Sequence, residues 1–132
     1  MAKKFVDVTI GIYDEKHSVA SCYQEEITPM KFYGTMECIK VEIKNNLSER
    51  LFIEKVNSGK IPDTLYVNVT VGEKTLINQG WSIYGTIDGK PSISDKIEIN
   101  SESIKKLADS FATRIWDDIF HYIPKTKEFR YA

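Results

Sequence analysis

Apolar residues recur at steps of three and four from Asn100 to Ile123. Ile104, Leu107, Ala108, Phe111, Ile115 and Ile119 form one stripe, widened by Ala112, Trp116, Phe120 and Ile123. Lys105, Lys106, Asp109, Ser110, Thr113, Arg114, Asp117 and Asp118 fall on the opposite side, which is the pattern of an amphipathic helix. Asn100 or Ser101 can cap its first turn, Glu102 suits the positive end of its dipole, and Pro124 stops it. So broad an apolar face needs a partner surface.

The preceding hundred residues read as the sheet that supplies it. From Phe5 to Tyr13, Val6, Val8, Ile10 and Ile12 alternate with Asp7, Thr9 and Tyr13, as in a half-buried strand. Asp14-Glu15-Lys16 reads as a tight connection into a second strand over His17 to Glu25. Thr28-Pro29 breaks the pattern. A third strand is expected over Phe32 to Lys44, with Ile39, Val41 and Ile43 inward and Cys38, Lys40 and Glu42 outward.

Leu47 to Lys60 reads either as a short helix or as a strand over Leu51 to Val56. The helix is favoured, with Ser48 as cap, Leu47 stapled to Phe52 and Gly59 as stop. Leu65, Val67, Val69 and Val71 then alternate with Tyr66, Asn68 and Thr70. Gly72-Glu73-Lys74 turns the chain into a long strand from Thr75 to Ile87, where Gln79-Gly80 suggests a bulge. Trp81, Ile83 and Ile87 share a face with Gly85, whose missing side chain leaves room for Phe111 or Trp116. Asp88-Gly89-Lys90-Pro91 signals another turn before a last strand holding Ile93, Ile97 and Ile99. After Pro124 the tail either frays or docks through Phe129 and Tyr131. No repeat, linker or low-complexity tract is read. The expected fold over residues 1–132 is a single α+β domain: one antiparallel sheet packed against one long C-terminal helix, with one short additional helix.

Composition narrows the function more by exclusion than by assignment. The 132 residues are 42% hydrophobic and 28% charged, a globular balance large enough to bury a core without staples. A net charge of −1, from 18 basic and 19 acidic residues, lacks the basic field of a phosphate-backbone binder, so no free nucleic acid is expected as partner. No secretory or membrane-spanning run is visible, and a cytoplasmic protein without a membrane partner is expected. Two cysteines, Cys22 and Cys38, do not make a disulfide framework.

The candidate chemistry is sparse. Asp117 and His121 lie one helical turn apart, but two ligands do not make a metal site, and an intrahelical pair accounts for them better. A cysteine nucleophile would need Cys22 or Cys38 beside His17 or His121, and both cysteines sit in strand-like contexts. Gly85-Thr86-Ile87-Asp88-Gly89-Lys90-Pro91 is one residue short of a phosphate-binding loop and carries Pro91 at its Ser/Thr position. Glu25, Glu26, Glu37 and Glu42 are not forced into a catalytic pair. No metal, cofactor or catalytic residue is assigned.

What remains is the sheet face turned away from the helix. Alternation puts Tyr66, Asn68, Thr70, Ser82, Tyr84 and Thr86 there together with Tyr13, Asp7 and Thr9. Tyrosine offers contact area at low entropic cost, which suits protein recognition, although Thr and Tyr also favour ordinary exposed strands. Stacking of nucleobases on such a face lacks the basic motif that accompanies it. The residues expected to touch a partner are Tyr13, Tyr66, Asn68, Thr70, Ser82, Tyr84 and Thr86. The leading expectation is a small non-enzymatic protein-binding domain, in the mould of a phage- or mobile-element-encoded inhibitor or accessory factor. The runner-up is a self-associating structural subunit of a phage or secretion assembly, and a thiol-dependent enzyme comes third.

Overall fold

The computed structural model describes residues 3–59, 61–83 and 100–125. Strand β1 (Lys4–Ile12) turns back as β2 (Glu15–Tyr23), and helix α1 (Phe32–Ser58) follows. Strands β3 (Thr64–Val71) and β4 (Lys74–Ser82) form a second hairpin, and helix α2 (Ser101–Tyr122), followed by a 3₁₀ turn over Ile123–Lys125, closes the described chain. The four strands make one antiparallel sheet in the order β2-β1-β3-β4. The α+β class is therefore observed.

Helix α2 follows its pattern. Asn100 accepts from the Ser103 amide at 3.0 Å, and the Ser103 hydroxyl accepts from the Asn100 amide at 2.9 Å, closing a capping box. Ile104, Leu107, Ala108, Phe111, Ala112, Ile115 and Ile119 are all buried, while Trp116 and Phe120 are half-buried against the core.

The stretch Phe32 to Lys44 is not a strand. It opens α1, which runs for 27 residues against 22 in α2, so the C-terminal helix is neither alone nor the longer. The separate short helix expected from Leu47 is the second half of α1, and Ser48 lies inside it. The buried positions are Phe32, Met36, Ile39, Ile43, Leu47 and Leu51, at helical spacing. Val41, expected inward, is 53% exposed. Lys40 and Glu42 accordingly sit on a helix and not on the outward sheet face. Thr28 caps the short 3₁₀ turn Pro29–Lys31 that leads in, accepting from the Lys31 amide at 3.2 Å. Gly59 ends α1 in the left-handed region (φ 78) that a glycine enters without a Cβ clash, donating to the Lys55 carbonyl at 2.8 Å.

The helices run antiparallel to one another. Phe32 at the start of α1 stacks on Phe120 near the end of α2 at 5.1 Å, and Lys44 pairs with Asp109 at 3.7 Å. Their stripes close over Val6, Val8, Ile10 and Ile12 of β1 and Leu65, Val67, Val69 and Val71 of β3, all essentially without solvent contact. Trp81 of β4 meets Phe111 edge to face at 5.3 Å, with the Arg114 guanidinium 3.9 Å above its indole. Among the described residues no helix is long and apolar enough to cross a membrane. The expected Asp88–Pro91 turn, the strand holding Ile93, Ile97 and Ile99, and the tail beyond Lys125 lie outside the described residues.

Candidate functional site: the outward face of the sheet

Cross-strand register builds the outward face row by row. One row is Ser21, Asp7, Thr70 and Thr75; the next is Ser18, Thr9, Asn68 and Asn78; a third is Lys16, Gly11, Tyr66 and Gly80. Thr64 and Ser82 pair beyond them. The side chains are nearly all hydroxyl, amide or glycine, so the surface is flat and polar. The Asp7 carboxylate lies 3.6 Å from the Lys4 ammonium, its Oδ1 shielded from solvent without a hydrogen bond.

Tyr66 is the exception. It stands 60% exposed in the middle of β3, opposite Gly11 on one neighbouring strand and Gly80 on the other. A Cβ at Gly11 would come within 3.2 Å of Tyr66 Cβ, and one at Gly80 within 3.1 Å of Tyr66 Cε1. The ring therefore lies over bare backbone on the β4 side, where it covers a glycine that has no side chain of its own to pack. Alternation identifies Tyr66 as outward but says nothing of this seat. The signal was present in the sequence as two glycines inside strand patterns. Gly80 takes part in regular pairing, so the bulge expected at Gln79-Gly80 is not there; the β3–β4 irregularity falls between Val69 and Thr70, opposite Leu76.

Of the expected partner-binding residues, Tyr66, Asn68 and Thr70 share the face, and Ser82 lies at its end on β4. Tyr13 is not on a strand. It occupies the β1–β2 turn at φ 54, 51% exposed, and this turn is Tyr13-Asp14 instead of Asp14-Glu15-Lys16. Tyr84 and Thr86 lie outside the described residues.

The thiols are placed unlike a nucleophile pair. Cys22 points inward from β2 and is buried. Burial, a hydrogen bond to Glu26 at 3.5 Å and the charges of Glu26 and Glu42 push its thiol up to about 12, so it stays protonated at neutral pH. His17 opposes Ile10 while Cys22 opposes Val6, near the two ends of β2. Cys38 is exposed on α1, in a shallow recess of about 600 Å³ shared with Glu25, Glu26, Met30, Lys31, Gly34 and Thr35. His121 Nδ1 lies 2.8 Å from the Asp117 carbonyl and 3.4 Å from its carboxylate, the intrahelical pair expected. Among the described residues no three His, Cys, Asp or Glu side chains converge as metal ligands.

Comparisons with protein families, with characterised proteins and with solved structures find no match to this chain.

Proposed function

We propose that this chain is a non-enzymatic protein-binding domain that engages another protein through the outward face of its sheet. It acts by contact, as an inhibitor or accessory factor of the kind carried by phages and other mobile elements. The observation that carries this reading is the seat of Tyr66, an exposed aromatic held between Gly11 and Gly80. A ring already positioned loses little freedom on binding, so more of its contact area converts to affinity. Asn68, Asn78, Thr64 and Ser82 surround it with hydrogen-bonding groups, matching the polar rim around an interface anchor. An enzyme reading has less support, since the buried thiol is protonated and Cys22 has no histidine at its end of β2.

The test is comparative capture from the native host. Natural chain, a Tyr66→Ala/Asn68→Ala variant and Lys106→Ala, altered on the exposed side of α2, are immobilised in parallel and bound proteins quantified by mass spectrometry. A protein held by the first and third and lost from the second is the expected result. Equal retention by all three removes the sheet face from contention. Elution well above 15.2 kDa for the purified chain, abolished by the same double substitution, makes the partner a second copy.

A further inference from the structure

The two central strands carry the same short sequence. Phe5-Val6-Asp7-Val8-Thr9-Ile10-Gly11 and Tyr66-Val67-Asn68-Val69-Thr70-Val71-Gly72 match residue for residue, with identical Val, Val, Thr and Gly and conservative exchanges elsewhere. At seven residues the match is too short to register as a repeat along the chain. Strands β1 and β3 pair antiparallel with Val8 opposite Val69, the two residues that the match itself equates. Stepping outward, Asp7 opposes Thr70 as Asn68 opposes Thr9, and Val6 opposes Val71 as Val67 opposes Ile10. Tyr66 lies opposite Gly11, and Phe5 accepts the Gly72 amide at 2.6 Å. A two-fold axis through the Val8–Val69 pair exchanges one strand with the other.

The outer strands add one shared feature independent of that match, while a second irregularity of the β1–β2 pairing, at Phe5 between Lys4 and Val6, has no counterpart between β3 and β4. Pairing of β1 with β2 shifts between Val8 and Thr9, where Val19 is the extra residue. Pairing of β3 with β4 shifts between Val69 and Thr70, where Leu76 is the extra residue. The bulges fall at the equivalent step, and bulges are inherited features more than accidents. Among the described elements a helix comes after each hairpin, the two helices lie antiparallel, and each leans on its own hairpin. Asn46 of α1 donates to the Val19 carbonyl at 2.8 Å, and Phe111 of α2 meets Trp81.

We infer that this domain is a tandem duplication of one ββα unit, whose two copies recognise each other through β1 and β3. The seam at the centre of the sheet is then an interface between like units, and the partner it fits is a second ββα unit. Where the copies differ, function has separated them. Phe5 is buried at 5% exposure while its counterpart Tyr66 stands open at 60%, so the recognition surface belongs to the second copy's end of the face. That last step rests on the proposed function; the duplication does not.

Two full-length experiments test the duplication without any partner. The first exchanges the matched segments in one chain through Phe5→Tyr, Asp7→Asn, Ile10→Val, Tyr66→Phe, Asn68→Asp and Val71→Ile. Equivalent strands predict cooperative unfolding close to the natural midpoint, whereas loss of the cooperative transition overturns equivalence. The second is a circular permutant that begins at Ile61, ends at Gly59 and joins residue 132 to residue 1. Residues 126–132 and 1–3 form the join and take the place that the short connection after Gly59 holds between α1 and β3. If the axis relates the halves, the permutant folds with the elution volume and circular dichroism spectrum of the natural chain. A permutant that stays unfolded, while one opened in the β3–β4 turn with the same join folds, sinks the inference.

Discussion

The ring of Tyr66 lies across the backbone of Gly80, so closely that a Cβ built there would sit 3.1 Å from Tyr66 Cε1 and 2.9 Å from Thr64 Cγ2. Gly80→Ala must displace one or both. Overpacking of this kind costs about 1–3 kcal/mol, with the low end expected because the ring can lift toward solvent. Tyr66→Ala alone should cost under about 1 kcal/mol, as an exposed position. If the two residues form one seat, Gly80→Ala is cheaper in the Tyr66→Ala background. A urea-denaturation cycle measures the coupling, and simple additivity would mean the ring does not rest on Gly80.

Core residues of the two helices should matter alike. Phe111→Ala, Leu107→Ala and Leu47→Ala each empty a fully buried site and are expected to cost about 2–5 kcal/mol. Lys106 pairs with Glu102 on the exposed surface, so Lys106→Ala should leave the denaturation midpoint almost unmoved. Similar midpoints for all four variants would place the core elsewhere.

Tyr13 holds a left-handed backbone, φ 54, that costs a residue with a Cβ about 1–2 kcal/mol. Glycine relieves the strain but loosens the unfolded chain by a comparable amount. Tyr13→Gly is therefore expected to gain about 0.5 kcal/mol, and Tyr13→Val to lose about 1 kcal/mol because branching at Cβ worsens the clash. Thermal melts of the two decide by sign: if valine melts no lower than glycine, the turn is not strained there.

The Cys22 thiol predicts a pH dependence. Its folded value is raised from the ordinary 9.0 to about 12. Below pH 9 both folded and unfolded chains hold the proton. Between there and about 12 the unfolded chain releases it and the fold does not, so stability falls as pH rises through that window. Cys22→Ala removes this contribution, and its stability should decline less steeply above pH 9 than that of the natural chain. Parallel slopes would refute the assignment. Alkylation at neutral pH should label Cys38 readily and Cys22 only on unfolding.

Most of the sheet was legible because β1 and β3 alternate without interruption and α2 repeats at three and four with caps at both ends. Helix α1 was not. In the short window from Ile39 to Ile43, apolar residues at every second position satisfy a strand as well as a helix, and Val41 tipped the reading. The helical period emerges only when Phe32, Met36, Ile39, Ile43, Leu47 and Leu51 are taken together across the full length. Taking the helix in two pieces hid its true start, which Thr28 and Pro29 had marked. At the candidate site, alternation could place Tyr66, Asn68 and Thr70 outward because facing is local. The glycines that seat Tyr66 come from two other strands, and their relation to it depends on register.

One contact bears on the register of the first hairpin. The bulge at Val19 leaves a carbonyl that Asn46, reaching from the middle of α1, satisfies at 2.8 Å. Without that extra residue every following side chain of β2 would change sides, driving Ser21 inward and Cys22 out. Burial of one face of the sheet already resists such a slip. The helix adds to that resistance, since the Asn46 amide meets the Val19 carbonyl in this alignment. The outer strand's phase is thus held from above as well, by a helix that comes after it in the chain.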